Sequence, residues 1–321
     1  MKAKSIIFNL NESNSLFEGI LDNIAFKKHH IEEGVVGLPV FNDGETSPYF
    51  KTSVRGKRVY ILSSANTPLK REQLMLSIDA AKRASASEII PIMPYFPYCR
   101  SDKKDQYRGP IGAKVMTESL EQRGASTVIT FDLHADQIVG FFNIPVIHLR
   151  GKYLFYDYIL DVSTTETVLC SPDAGGLKRV KKVRDLIYKR NTDIKLPFIS
   201  LDKTRPNAGE VGEIEVLGDV EGKDVLVIDD MCDTGGTLIK GCEALIDAGA
   251  NTVRALVTHG VLSKDARNKI KDSVIEEFIC SDSLVDSNTE DNMGGKLTVI
   301  STADEIANAI LSVNSDDSLY K

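Results

Sequence analysis

Behind an unbroken apolar run, the stretch from Val225, VLVIDDMCDTGGT, carries three carboxylates and then a Gly-Gly pair. Two adjacent carboxylates repel each other if buried bare, so Asp229 and Asp230 need a metal or a hydroxyl-rich partner to stay ionised. A ribose diol supplies paired donors of that kind. Asp233, Thr234, Gly235, Gly236 and Thr237 then read as a tight turn into a helix, where small residues expose backbone N–H groups and the threonines add hydroxyl donors. That chemistry suits a phosphate dianion. A plain N-capped turn would account for one acidic residue here, not for three.

Five further constellations stand out. In SPDAGG (171–176), between a short apolar run and a helical pattern, Gly175 and Gly176 let backbone amides approach a pyrophosphate while Asp173 reaches a metal; with Ala174 between them, the same turn would look alike without a ligand. In FDLH, strand alternation puts Asp132 and His134 on one face, although a lone His is more often simply hydrogen-bonded than a ligand. Lys203 and Arg205 follow the run PFISL and point the same way if the chain stays extended; by charge alone they read as a solvated basic turn. FNDGE (41–45) contains a hairpin turn signal, and the mixed-charge loop 100–108 reads as a solvated surface.

The elements that must position these residues are legible as apolar runs alternating with helical periodicity. VVGLPVF (35–41), RVYIL (58–62), EIIPIM (88–93), TVITF (127–131), TVLC (167–170), PFISL (197–201), DVLVI (224–228) and TVRALVT (252–258) read as strands of an α/β protein with a mostly parallel sheet. Ligands in such sheets sit beyond the carboxyl ends of the strands. A helix is predicted over 236–248, with Leu238, Cys242, Leu245 and Ile246 on one face and Gly249 as its stop. A second stripe, Leu177, Val180 and Ile187, skips Arg184, and an aromatic-rich helix is predicted from Tyr153 to Leu160.

The two halves resemble each other. GKRVYILSS from Gly56 aligns with GKDVLVIDD from Gly222, and ASASEIIPIMPY aligns with AGANTVRALVTH after a shift of two residues. Ser63 and Ser64 then stand where the second copy has its paired aspartates. The expected domains are 1–150 and 151–321, with the last helix free to pack back on the first domain.

Composition excludes several classes. With 42% hydrophobic and 26% charged residues over 321 positions, the chain is ordinary globular protein of about two domains. No apolar run is long enough to span a membrane, and the start lacks an export signal, so a cytoplasmic setting without membrane attachment is expected. Five singly scattered cysteines point to reduced thiols rather than disulfides or zinc. The formal net charge of −7 argues against nucleic acid as a partner.

DDMCDTGGT resembles the phosphoribosyl-binding loop of the type I phosphoribosyltransferase fold. FNDGE, ASASEIIPIMPYFPYCRSDKKD (84–105), TFDLHADQIVGFFNIPV (130–146), SPDAGG and VTHGVLS (257–263) are similar, in order, to one family within it, the ribose-phosphate pyrophosphokinases. The resemblance implies two tandem phosphoribosyltransferase-type α/β domains, each with a mostly parallel central sheet flanked by helices. It also implies Mg2+-dependent transfer of pyrophosphate from ATP to the 1-hydroxyl of ribose 5-phosphate, in a homo-oligomer, hexameric by the family's pattern.

Residue by residue, the resemblance makes Lys203 and Arg205 the catalytic cations, and Asp229, Asp230 and Asp233 to Thr237 the ribose 5-phosphate site. Asp173, Ala174, Gly175 and Gly176 become the pyrophosphate loop. Phe41, Asp43, Glu45, Arg100, Ser101, Asp105 and His134 become ATP contacts, and His134, Asp132 and Asp173 metal contacts. The ATP loops fall in the first domain, which carries no ribose site. The chain departs from the family pattern at Ser101, where Gln is common, at Asn143 and Ile147, where acids are frequent, and over 66–73. Two rivals make different demands. A base-salvage phosphoribosyltransferase needs one such domain and no ATP loops, and a silent regulatory homologue predicts loss of the Lys-x-Arg pair or the aspartates, which are intact.

Overall fold

The computed structural model describes residues 4–11, 15–23, 31–191, 194–203, 214–285 and 292–315. It divides into two units, Met1–Leu149 with Ser301–Lys321, and Arg150–Ile300.

The first unit contains β1 (Ser5–Asn9), α1 (Ser15–Asp22), β2 (Glu32–Glu33), β3 (Val36–Gly37), β4 (Tyr49–Phe50), β5 (Arg58–Leu62), α2 (Pro68–Arg83), β6 (Glu88–Met93), α3 (Gly112–Arg123), β7 (Val128–Phe131) and β8 (Val146–Leu149). Its main sheet is parallel throughout, in the order β2-β1-β5-β6-β7-β8. The second contains α4 (Gly151–Leu154), α5 (Tyr156–Val162), β9 (Thr167–Ser171), α6 (Leu177–Arg190), β10 (Phe198–Lys203), β11 (Ile214–Leu217), β12 (Asp224–Cys232), α7 (Gly236–Asp247), β13 (Thr252–Gly260), α8 (Ala266–Lys271), β14 (Glu277–Ser281) and β15 (Leu297–Ile300). Its sheet runs β11-β10-β9-β12-β13-β14-β15, with only β11 antiparallel to its neighbour. A final helix, α9 (Ala303–Ser315), belongs to the first unit.

The duplication is visible in the topology. β5 and β12 are central strands, each between the strand that opens its unit's sheet and the strand that follows the next helix. Val59 pairs with Ile89 and Val225 with Val253, which reproduces the two-residue shift between the aligned segments.

Central strands bury both faces, which explains their unbroken apolar runs. Along β12, Val225 and Val227 face a core shared with Leu238, Cys242 and Leu245 of α7 and Ile270 of α8. Leu226 and Ile228 face the opposite core, made with Val180, Val183 and Ile187 of α6 and Phe155 and Ile159. Each fully buried aliphatic side chain contributes about 1.5–3 kcal/mol. In the first unit, Ile7, Tyr60, Leu62, Ile90, Ile92 and Phe131 pack against α1 and against Ala303, Ile306 and Ile310 of α9.

Several sequence expectations are corrected. The run 35–41 is not one strand: Val36–Gly37 pairs with Tyr49–Phe50, and a separate bridge joins Val40 to Thr46 around the FNDGE turn. Pro39 lies between them and has no N–H for a continuous ladder. The aromatic helix breaks at Phe155, which is 2% exposed and anchors the junction of α4 and α5 in the core. The buried face of α6 is Val180, Val183, Leu186 and Ile187, so Val183 and Leu186 occupy the face that the predicted stripe assigned around Arg184. β10 continues through Lys203 because β11 returns antiparallel beside it, pairing Lys203 with Ile214. β7 stops at Phe131, and Asp132 takes φ +28°, so simple alternation does not relate Asp132 to His134.

Candidate active site

The opening apolar run and its acidic end form one continuous strand. β12 extends through Asp229 and Asp230 to Cys232, and β9 lies beside it. The loop after β9 and the end of β12 therefore meet at the carboxyl edge of one sheet, where α/β proteins bind ligands.

A cation from the helix that follows the first loop holds the carboxylates at the end of β12. Arg179, in the first turn of α6, places Nη1 3.1 Å from Asp229 Oδ1 and Nη2 3.4 Å from Asp230 Oδ1. The Asp230 side chain is only 5% exposed, and that of Asp229 is 27% exposed. Asp229 also accepts the Asp230 N–H at 2.8 Å. Burial, reinforced by the neighbouring Asp230 charge, pushes the Asp229 carboxyl up to about 7, and Arg179 pulls in the opposite direction. Sequence reasoning asked for a hydroxyl-rich or metal partner for this pair and missed Arg179. The available signal was a cation three residues beyond the Gly-Gly of SPDAGG, facing the same sheet edge.

After Cys232 the chain turns sharply. Gly235 has φ +75° and precedes α7 without any side-chain cap, so the first-turn amides of α7 have no acceptor within the helix and lie where an anion is favoured. Thr234 is partly buried and Thr237 exposed. Asp233 is held from behind: the Ser263 hydroxyl donates to its carboxylate and the Ser263 N–H to its carbonyl at 3.0 Å, while the Leu262 N–H donates to the Cys232 carbonyl at 3.0 Å. VTHGVLS thus braces the turn. Burial pushes the Cys232 thiol up to about 12, which removes it as a nucleophile.

In the 171–176 loop, Asp173 serves its own helix. Its carboxylate accepts the Gly176 N–H at 2.8 Å, and its carbonyl accepts the Ser171 hydroxyl at 2.7 Å. Asp173, Ala174 and Gly175 are exposed, and Gly176 is buried. Lys203 ends β10, the strand on the other side of β9, while Arg205 lies outside the described residues.

The remaining candidates lie in the first unit. Phe41, Asp43 and Glu45 form an exposed hairpin tip closed by Phe41 N–H to Glu45 O at 2.8 Å, with Asp43 accepting the Glu45 N–H at 3.0 Å. Arg100 and Asp105 are exposed in the loop after β6. The Ser101 hydroxyl accepts the Gly112 N–H at 3.0 Å and so caps α3. That loop is tied to the one after β7 by Gln137 Nε2 donating to Asp102 at 2.9 Å. His134 is exposed and Asp132 half-buried in that second loop. Asn143 is occupied by Glu121, which it binds through both its N–H and its amide group.

Among the described residues, no three His, Cys, Asp or Glu side chains converge as a ready-made metal cage. Mg2+ characteristically takes one or two carboxylates and completes its octahedron with water and substrate phosphate, and an exposed oxygen donor such as Asp173 beside an anion loop fits that habit.

Residues 5–124 match the N-terminal domain of ribose phosphate pyrophosphokinase, and residues 141–286 match the phosphoribosyl transferase domain. The chain is 38% identical over 314 residues to ribose-phosphate pyrophosphokinase 2 of Enterococcus faecalis, covering 97% of this chain and 93% of that protein. The chain belongs to the ribose-phosphate pyrophosphokinase family. A second ribose-phosphate pyrophosphokinase, from Caldanaerobacter subterraneus, is 37% identical over 318 residues, covering 98% of this chain and 96% of its own. The crystal structure of phosphoribosylpyrophosphate synthetase from Mycobacterium smegmatis superposes with a TM-score of 0.86 at 33% identity, covering 98% of this chain and all of that one. The fold is accordingly two phosphoribosyltransferase-type domains of mostly parallel sheet. Among the described residues, no helix is long and apolar enough to cross a membrane.

Proposed function

We infer that this pyrophosphokinase family member transfers the β,γ-pyrophosphoryl group of ATP to the 1-hydroxyl of ribose 5-phosphate, giving 5-phosphoribosyl 1-pyrophosphate and AMP. The observation that carries this reading is the Asp229–Asp230 pair held by Arg179 beside the 233–237 turn, in a chain related over 97% of its length to a ribose-phosphate pyrophosphokinase. Carboxylates at the end of a strand accept ribose hydroxyls, and the turn of residues 233–237 that leads into α7 clamps the 5-phosphate.

In the reaction the 1-hydroxyl oxygen forms a bond to the β-phosphorus, its proton is lost, and the bond from that phosphorus to the oxygen bridging to the α-phosphate breaks. Such transfer is mostly positioning plus charge neutralisation. Lys203 and Arg205 offset charge on the transferring group, with Arg100 at the ATP phosphates. Phe41, Asp43 and Glu45 take the adenine end of ATP, and Ser101 and Asp105 lie along its loop. Asp173, Asp132 and His134 are the groups available to hold Mg2+, which when bound supplies charge neutralisation at the phosphates. Asp173 to Gly176 receive the pyrophosphate. On this reading residues 1–150 carry the ATP loops and 151–321 the ribose site, in a cytoplasmic homo-oligomer, hexameric on the family pattern.

Incubation with ATP, Mg2+ and ribose 5-phosphate should yield AMP and a pyrophosphorylated sugar in equal amounts. Absence of AMP at every phosphate concentration would overturn the reading. Lys203→Ala should cut turnover far more than ribose 5-phosphate affinity; equal losses in both would remove its catalytic role.

A further inference from the structure

The turn after β7, which carries Asp132 and His134, is built on an unfavourable backbone. Asp132 has φ +28°, a region that non-glycine residues adopt only when their surroundings hold them there. Both following amides are held from β8. The Asp132 N–H donates to the Leu149 carbonyl at 2.9 Å, and the Leu133 N–H donates to Nε2 of His148 at 2.9 Å.

The second unit has a turn at the equivalent place, after β14, and shows which bond belongs to the fold. After β14, the Asp282 N–H donates to the Ile300 carbonyl of β15 at 3.2 Å, repeating the first bond. The next amide, that of Ser283, is taken locally by the Ser281 hydroxyl at 3.2 Å. By strand register, Cys280 pairs with Val299 as Thr130 pairs with His148, so the position of His148 is occupied there by an apolar side chain. Asp282 lacks the positive φ of Asp132. The side-chain acceptor is therefore an addition to the first unit, coupled to its strained turn.

We propose that His148 is a positioning residue of the ATP site: its Nε2 fixes the Leu133 amide, and through it the directions in which Asp132 and His134 leave the sheet. The Leu133 side chain, 4% exposed, anchors the pivot in the core. The proposal rests on the pyrophosphokinase reading given above. Groups that orient a phosphate- or metal-binding residue typically matter by 10- to 100-fold in activity or affinity.

The test compares His148→Leu, which keeps the volume and removes the acceptor, with His148→Gln, whose Oε1 reaches about where Nε2 lies. His148→Leu should raise the KM for ATP and weaken Mg-ATP binding by calorimetry, each by roughly 10-fold or more, and leave the KM for ribose 5-phosphate within about 2-fold. His148→Gln should recover most of the loss. Wild-type ATP affinity in His148→Leu, equal loss in the Gln variant, or equal effects on both substrates would overturn the proposal. If His148→Leu does not fold, His148→Phe takes its place; if neither folds while His148→Gln does, the bond serves stability alone and the proposal fails. Wild-type protein that forms no AMP would instead sink the functional reading, a separate outcome.

Discussion

Arg179 bridges Asp229 and Asp230, at 3.1 and 3.4 Å, from a helix that starts on the neighbouring strand's loop. One guanidinium thus links the helix that follows the 171–176 loop to the two carboxylates at the end of β12. Removing it takes away the cation that pulls the raised Asp229 carboxyl back down, beside an Asp230 side chain that is almost fully buried. Arg179→Met is expected to destabilise the protein by roughly 2 kcal/mol, below the 3–5 of a fully buried pair because Asp229 and Arg179 keep some solvent. It should also raise the KM for ribose 5-phosphate at least 10-fold, measured by denaturant unfolding and steady-state kinetics.

The Asp229 carboxyl, pushed up to about 7, sets a pH dependence whose sign can be worked out. The unfolded chain releases this proton near pH 4, the folded chain near pH 7, so between those values the folded state binds more protons. Stability of the ligand-free protein in chelator should therefore fall as pH rises from about 4 to about 7 and level off above. Asp229→Asn should flatten that slope in thermal melts. An unchanged slope would assign it to another group.

Two glycines at the site should fail for different reasons. Gly235 has room for a methyl group, the nearest atom being 3.5 Å from an added Cβ, but its φ is +75°. Gly235→Ala should cost about 1–2 kcal/mol through backbone conformation and weaken ribose 5-phosphate binding. Gly176 has an ordinary φ of −77°, but an added Cβ would lie 2.6 Å from Ser171 Oγ. Gly176→Ala should therefore be relieved in part by Ser171→Ala, whereas Gly235→Ala should not; a double-mutant cycle measures this.

The side-chain amide of Asn314 gathers three donors near the end of the C-terminal helix. Asn314 Oδ1 accepts the Ser5 hydroxyl at 2.9 Å, Arg58 Nη1 at 3.1 Å and the Tyr60 hydroxyl at 2.9 Å. Arg58 also donates to the Val313 carbonyl at 2.9 Å and pairs with Glu88. Asn314→Leu leaves the buried Tyr60 hydroxyl only the longer bond to the Ile310 carbonyl at 3.4 Å, and should cost about 1 kcal/mol in urea unfolding, with turnover unchanged well below the melting temperature.

The strands RVYIL, EIIPIM and DVLVI could be read directly because parallel central strands are apolar on both faces, and the repeat between Gly56 and Gly222 fixed their correspondence. β1, β8, β14 and β15 were not read, being short runs that periodicity does not distinguish from helix segments. The 233–237 turn was legible through its residue types. Arg179 and Ser263 were not, since a cation in a basic helix and a serine after a strand look solvated until the sheet order places them beside Asp229 and Asp233.

By itself the sequence determined which residue types stand at the end of β12. Paired carboxylates followed by Asp-Thr-Gly-Gly-Thr suit a sugar phosphate whatever surrounds them, and ordered motifs along the chain pointed to the family. Tertiary structure decided which partners those groups have. Arg179 reaches Asp229 across fifty positions of sequence, and His148 reaches the Leu133 amide across fifteen. Both contacts exist because parallel strands put loops from separate segments at one sheet edge, a proximity that no local pattern encodes.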